Sequence, residues 1–261
     1  MMIRIAEIDE ELEDSFWQHV NEDPLEYYWF IVDWKYSRDD TRIFIALENE
    51  KISGMMLIFR ERIVVLRGNP EAVESLLDHL DLENPEITLP LECKDALLKR
   101  WKPDVMEEIV VMHLRKGEEE ILKEHEPMQL KSEDAEQTSK IMRESYPTWW
   151  DWATPEMTKK WLKINHVVGV KVDDKIVSLG STRFVDFGSN IGVVATDEKH
   201  RNKGYATSVV SMLAEEILKR SDLAIIHVLK DNHPAVHTYE KVGFRPYKSY
   251  LIVKNTTRVK S

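Results

Sequence analysis

The sequence predicts a two-domain α+β (mixed α/β) protein, and three observations lead there. One order of elements (helix, helix, three strands, helix, strand, helix, strand) reads twice along the chain, at a period of ~125 residues. The charge changes sign between the halves. Residues 1–126 hold 15 Lys/Arg against 31 Asp/Glu, a balance of −16, and residues 127–261 hold 21 against 16, a balance of +5. Finally, Ile191–Val210 (IGVVATDEKHRNKGYATSVV) passes from a β-rich run through a basic turn containing glycine into an apolar helical pattern.

Taken in order, the first ~40 residues read as helices. Leu12, Phe16, Trp17 and Val20 fall at helical spacing over 10–20, and Pro24 opens a second helical segment over 25–34. Strands follow at 42–48 and 51–59, joined by Asn49-Glu50 as a hairpin, and again at 62–67. Gly68-Asn69-Pro70 is a turn in which Asn69 caps a helix over 70–80 that has proline at its first position. A short strand at 87–89, a short helix at 94–101 and a closing strand at 109–114 complete the first half. The charged stretch 117–127 (GEEEILKEHEP) lacks periodicity and marks the domain boundary, giving domains of 1–120 and 127–261.

The second half restarts with a strand at 128–130 and a helix from a Ser132 N-cap to about Met142. Thr154-Pro155-Glu156 begins another helix, ending near Ile164. Segments 166–172 and 176–184 form a hairpin around Asp173-Asp174, and 191–195 is a strand. A helix follows Gly204, then a strand at 223–229, a helix from Pro234 to Lys241 stopped by Gly243, and a closing strand at 250–253.

Composition narrows the function classes. Hydrophobic residues make up 43% and charged residues 32%, as in a globular protein. No apolar run reaches membrane-spanning length, and the first residues lack a signal-peptide core, so the expectation is a cytoplasmic protein with no membrane partner. The single cysteine, Cys93, excludes an intrachain disulfide framework and reads as a small buried residue. The acidic first half argues against nucleic acid as a partner, which requires clustered cations along one face. His233 and His237 share a helical face without a third ligand, so no metal site is expected.

Strand, basic turn and helix together suit an anion. The first amides of a helix have no intrahelical acceptor and lie at the positive end of its dipole. Gly204 and Ala206 keep bulk away from the backbone, while Arg201 and Lys203 add positive charge. Arg201-Asn202-Lys203-Gly204-Tyr205-Ala206 resembles the acetyl-CoA motif of the GNAT superfamily of N-acetyltransferases. A second signature of that family, an asparagine, a helix carrying alanine then tyrosine, and a glycine-phenylalanine close, is matched by Asn232, Ala235, Tyr239 and Gly243-Phe244. The resemblance is carried by residues 127–261. The first half shares the element order but has Arg67-Gly68-Asn69-Pro70 where the phosphate turn would stand. It looks like a degenerate copy, in a tandem arrangement similar to that of glycine N-acyltransferase-like proteins.

The resemblance implies two tandem domains, each with a mixed, mostly antiparallel central sheet flanked by helices. It implies transfer of an acetyl or other short acyl group from acetyl-CoA, or another acyl-CoA, to a primary amine of a small molecule or peptide, by direct attack. The amides of Asn202, Lys203, Gly204, Tyr205, Ala206 and Thr207 would hold the pyrophosphate, with Arg201 beside them. The backbone of Val193, Val194 and Ala195 would bond the pantetheine arm in place of a missing strand neighbour. Asn232 would bond the cofactor or cap its helix. Tyr239 would act as general acid, since a phenol of pKa about 10 can protonate a departing thiolate. Asp186, Glu198 and His227 are open as the base, because Asn190 stands where glycine-conjugating relatives carry a glutamate. Trp149, Trp150 and Trp152 either line the acceptor site or pack between domains. A non-catalytic acyl-CoA sensor would use the same turn, and the assembly would be a monomer or homodimer.

Overall fold

The computed structural model describes residues 3–259. In chain order the first elements are β1 (Arg4–Glu7), α1 (Glu10–Glu22), α2 (Tyr28–Tyr36), β2 (Thr41–Glu48), β3 (Lys51–Phe59), β4 (Ile63–Gly68), α3 (Pro70–His79), β5 (Glu86–Pro90), α4 (Lys94–Leu98) and β6 (Trp101–Arg115). They are followed by β7 (Met128–Gln129), α5 (Ala135–Ser145), α6 (Pro147–Trp150), α7 (Pro155–Ile164), β8 (His166–Val172), β9 (Lys175–Thr182), β10 (Ser189–Thr196), α8 (Tyr205–Leu218), β11 (Leu223–Leu229), α9 (His233–Val242) and β12 (Arg245–Arg258). No helix among the described residues is long and apolar enough to cross a membrane.

The chain groups into two compact units, one of the residues up to 109 with those from 249 on, the other of residues 110–248. In the first, the sheet order is β1-β2-β3-β4-β5-β12, antiparallel throughout except for the parallel β4–β5 pair. The C-terminal segment belongs here because Tyr250 to Val253 pair with Pro90 to Ile87. Asn69 caps α3 as expected, its side-chain oxygen accepting the Ala72 amide at 2.8 Å. Val73, Leu76 and Leu77 of α3 then pack with Met56, Leu66, Ile87 and Val253. The β2–β3 turn holds Asn49 and Glu50 at φ 51° and 61°, the backbone a two-residue hairpin requires. Cys93 is buried in this core, where burial pushes its thiol up to about 11 and keeps it unreactive.

Several expected boundaries are corrected. Arg4–Glu7, inside the stretch read as helical, is a strand because its partner, residues 44–47, lies ~40 residues downstream, beyond any periodicity window. The second helix starts at Tyr28, after a turn in which the Asp23 carboxylate accepts the Glu26 amide. Ser132 does not cap its helix. The chain enters through a 3₁₀ turn at Ser132–Asp134, and the Asp134 carboxylate accepts the Lys131 amide at 2.8 Å. The closing strands β6 and β12 run far longer than predicted, since charged residues on their exposed positions mask the alternation.

The second unit has the strand order β11-β10-β9-β8-β7, antiparallel except for β10–β11. Its sheet is covered on both faces. α8 and α9 pack with Ile191, Ala224, Ile226 and Val228 on one side. On the other, Ile141, Met142 and Leu162 from α5 and α7 pack with Val193 and Ala195. This alternation sends neighbouring residues of β10 to opposite faces, which is what positions the site.

Candidate functional site

The site begins where two strands part. β10 and β11 share only three rungs, Ser189 with Ala224, Asn190 with Ile225 and Ile191 with Ile226. β10 continues to Thr196 and β11 to Leu229, so beyond Ile191 their facing edges have no ladder. A register shift between Ile191 and Val194 on the β9 side adds local twist at the point of separation. There the buried Ser181 hydroxyl accepts the Val193 amide at 3.1 Å. Val193 and Ala195 face α5 and α7, whereas Val194 packs toward α8.

From β10 the chain enters a short 3₁₀ turn, Glu198–His200, tied by the Asp197 carboxylate to the Lys199 amide and to His200 Nδ1 at 2.6 Å. Asn202 and Gly204 then take the left-handed region, φ 60° and 77°, and α8 starts at Tyr205. This geometry turns the amides of residues 202–207 away from every acceptor among the described residues. The first amide of the run to find one is Ser208, which donates to the Gly204 carbonyl. Six donors at the positive end of a 14-residue helix, flanked by exposed Arg201 and Lys203, make a cradle for an anion. Arg201, Asn202, Lys203, Gly204, Tyr205, Ala206 and Thr207 thus lie together at the start of α8.

The His200 hydrogen bond holds the Asp197 carboxyl below the usual carboxylate range, outweighing the opposite push of burial. Because this pKa is depressed, the turn's share of stability is complete above the unfolded value of about 3.9 and is lost as pH falls through the lower folded one. A carbon-13 titration of Asp197 is expected to show a midpoint below 3.8 that His200→Ala raises. An unmoved midpoint in that variant would remove the assigned cause.

Tyr239 lies on α9, 5% exposed, and packs in the same cluster as Ile191 and Val194. Its hydroxyl donates to no described residue, and burial pushes its pKa well up, so the phenol stays protonated. Asn232 is the N-cap of α9 and accepts the Ala235 amide at 3.3 Å, the capping alternative of its two readings. His227 is the first β11 residue past the last rung, on the face opposite α8 and α9, with its Nδ1 2.9 Å from Asn190 Oδ1. On that face the rings of Trp150, Trp152 and Trp161 form an edge-to-face row at 6.2 and 6.4 Å. Trp150 and Trp161 rest on the α5–α7 core, and Trp152 is 36% exposed. Among the described residues no group of three His, Cys, Asp or Glu side chains is placed to hold a metal.

Glu124 and His125 were not foreseen. The charged stretch before β7 lies along α8, and a Cβ built on Gly204 would stand 2.8 Å from Glu124 Oε2. His125 Nε2 donates to the Lys203 carbonyl at 2.7 Å, and its ring stacks on Tyr205 with centroids 4.0 Å apart. The only signal in the sequence was an aperiodic run rich in charge, which reads as solvent-exposed linker.

Residues 167–253 match the family described as FR47-like protein. The uncharacterized N-acetyltransferase YobR of Bacillus subtilis (strain 168) is 28% identical over 78 residues, 30% of this chain and 32% of that one. The chain thus spans about a third of that curated relative's length. Among solved structures, a Drosophila protein superposes with a TM-score of 0.70 at 11% identity, covering 96% of this chain and 98% of that one. A GCN5-related N-acetyltransferase from Sphaerobacter thermophilus gives 0.59 at 12%, covering 99% and 96%. A tandem GNAT protein from the clavulanic acid biosynthesis pathway gives 0.54 at 11%, covering 100% and 99%. At these identities the structural likeness is one of fold; the family match and the two motifs add the sequence. The chain shares the fold of GNAT proteins, and residues 167–253 match the FR47-like family.

The glycine turn of the second unit has a closed counterpart in the first. There Gly68, φ 128°, leads to Asn69, whose amide donates to the Ser53 carbonyl and whose side chain takes the Ala72 amide. Pro70 has no amide, and a Cβ on Gly68 would collide with the Gly54 backbone. Where α8 leaves six leading donors open, α3 has those of Asn69 and Ala72 used and the one at Pro70 missing.

Proposed function

We propose that this protein is a GNAT-type N-acyltransferase that moves an acetyl or other short acyl group from acyl-CoA to a primary amine of a small molecule or peptide. The observation that carries the reading is the run of six acceptor-less amides, 202–207, beside the split between β10 and β11. The residues present fit the donor. The amides and Arg201 suit a diphosphate, and the open edge of β10 suits an amide-bearing arm laid along it as a substitute strand. Bound acyl-CoA would supply the acyl group as an activated thioester.

The chain's own residues then divide the work. The turn and the strand edge would hold the donor beside the split between β10 and β11. The amine nitrogen bonds to the acyl carbon, the carbon–sulfur bond breaks, and Tyr239 gives its hydroxyl proton to the departing sulfur. We place the proton lost by the amine on His227. The imidazole stands at the opening of the split, its Nδ1 2.9 Å from Asn190 Oδ1. Acid and base then work from opposite faces of the sheet. The tryptophan row would form the acceptor wall on the His227 side.

Tyr239→Phe is expected to lower turnover with a broad amine and peptide panel by roughly 100- to 10,000-fold, while CoA affinity stays within about threefold. Unchanged turnover would remove Tyr239 as the acid. Absence of CoA binding by the native chain would sink the whole reading.

A further inference from the structure

The open face of Gly204 is already filled by the protein itself. Five contacts lay residues 122–125 along one side of α8. The Leu122 amide donates to Ser211 Oγ at 3.1 Å, and Lys123 pairs with Glu215. The His125 amide donates to Ser208 Oγ at 3.1 Å, and the His125 ring donates to the Lys203 carbonyl while stacking on Tyr205. Residues 204, 208, 211 and 215 fall on one helical face, so the segment follows a single track to the start of the helix. It ends with the Glu124 carboxylate against Gly204, in the space that the missing side chain leaves beside the donor amides. No amide of residues 202–207 donates to that carboxylate. Glu124 therefore takes up the approach to the cradle without satisfying it.

We propose that residues 122–125 form an autoinhibitory strap, and that the Glu124 carboxylate competes with the donor's diphosphate for the Gly204 face. The inference rests on the acyl-CoA reading above. A diphosphate on the same amides would sit beside a like charge in one small volume, so the strap must swing away for full binding. Its anchors suit such movement. They are two hydroxyl acceptors, one bond to a turn carbonyl, one ring stack and one ion pair, none of them part of a sheet or helix ladder. The strap sets the donor concentration at which the enzyme loads.

The test is calorimetry with CoA on the full-length chain, together with hydrogen exchange at the Leu122 and His125 amides. Glu124→Ala is expected to bind CoA about tenfold more tightly than the native chain. Glu124→Gln, which keeps the shape and removes the charge, should fall between the two. Saturating CoA should speed exchange at Leu122 and His125 about tenfold in the native protein. Equal or weaker CoA affinity in both variants would overturn the strap and leave the donor site standing, and so would unchanged exchange on saturation. If neither the native chain nor Glu124→Ala binds CoA, the donor reading falls and the strap with it.

Discussion

Gly204→Glu is expected to reduce CoA affinity at least ~100-fold, equivalent to about 2.7 kcal/mol. Two effects add. Gly204 sits at φ 77°, a region where a residue with a Cβ costs roughly 1–2 kcal/mol. The new carboxylate would also point at the place proposed for the diphosphate, where Glu124 already stands 2.8 Å from the Cβ position. Gly204→Ala separates the two, since it carries the backbone cost without the charge, and its loss should be about tenfold. Titration calorimetry reads both, with circular dichroism to show that α8 is intact. If the glutamate variant binds CoA within about threefold of the native chain, the amides of 202–207 are not the donor site.

The second large effect is in the first unit. Arg67 is 3% exposed, with its guanidinium 3.6 Å over the Tyr250 ring and its Nε 3.3 Å from a Glu26 carboxylate oxygen. Tyr250 donates to the other Glu26 oxygen at 2.7 Å, and Arg67 also donates to the Leu66 carbonyl at 2.8 Å. Arg67→Ala removes the cation from a nearly dry carboxylate and empties the space under the ring. We expect a loss of about 3–5 kcal/mol in urea denaturation. Arg67→Met fills the space without the charge, and paired with Glu26→Gln it should recover most of that loss, because no buried charge is left unpaired and the Gln amide oxygen can still accept from Tyr250. A loss below about 1 kcal/mol in Arg67→Ala would mean that this contact contributes little.

The same arginine shows how one local sequence leads to two outcomes. Val65-Leu66-Arg67-Gly68 and the stretch before Gly204 both join a strand to a helix through a glycine with positive φ. In the first unit the basic residue turns inward to Glu26, and Asn69 consumes the helix donor. In the second the basic residues stay outside and the donors stay open. The asparagine–proline pair after Gly68 is legible in the sequence as a cap. Where the arginine points is not, because its partners Glu26 and Tyr250 lie far away along the chain.

The proposed donor turn was readable because it is local. A turn, a glycine and the first residues of one helix fix where six amides point, and all lie within a few positions of each other. Tyr239 could be named only through the second motif. Its burial and its protonated state depend on the cluster it shares with Ile191 and Phe244. The strap was unreadable because its contacts run between an aperiodic charged segment and a helix ~85 residues later, and no pattern in either announces the pairing.

The sequence by itself determined the elements that close on themselves. These are the Asn69 and Thr154 caps, the hairpins around Asn49-Glu50 and Asp173-Asp174, and the turn from Arg201 to Ala206. Each is decided by neighbours a few residues apart, so composition and spacing carry the physics. Tertiary structure decided what needs a distant partner. It made a strand of Arg4–Glu7, returned the C-terminal segment to β5, ended the β10–β11 ladder at Ile191, and laid Glu124 against Gly204. A backbone donor or a carboxylate looks the same in any sequence until packing decides which group it meets.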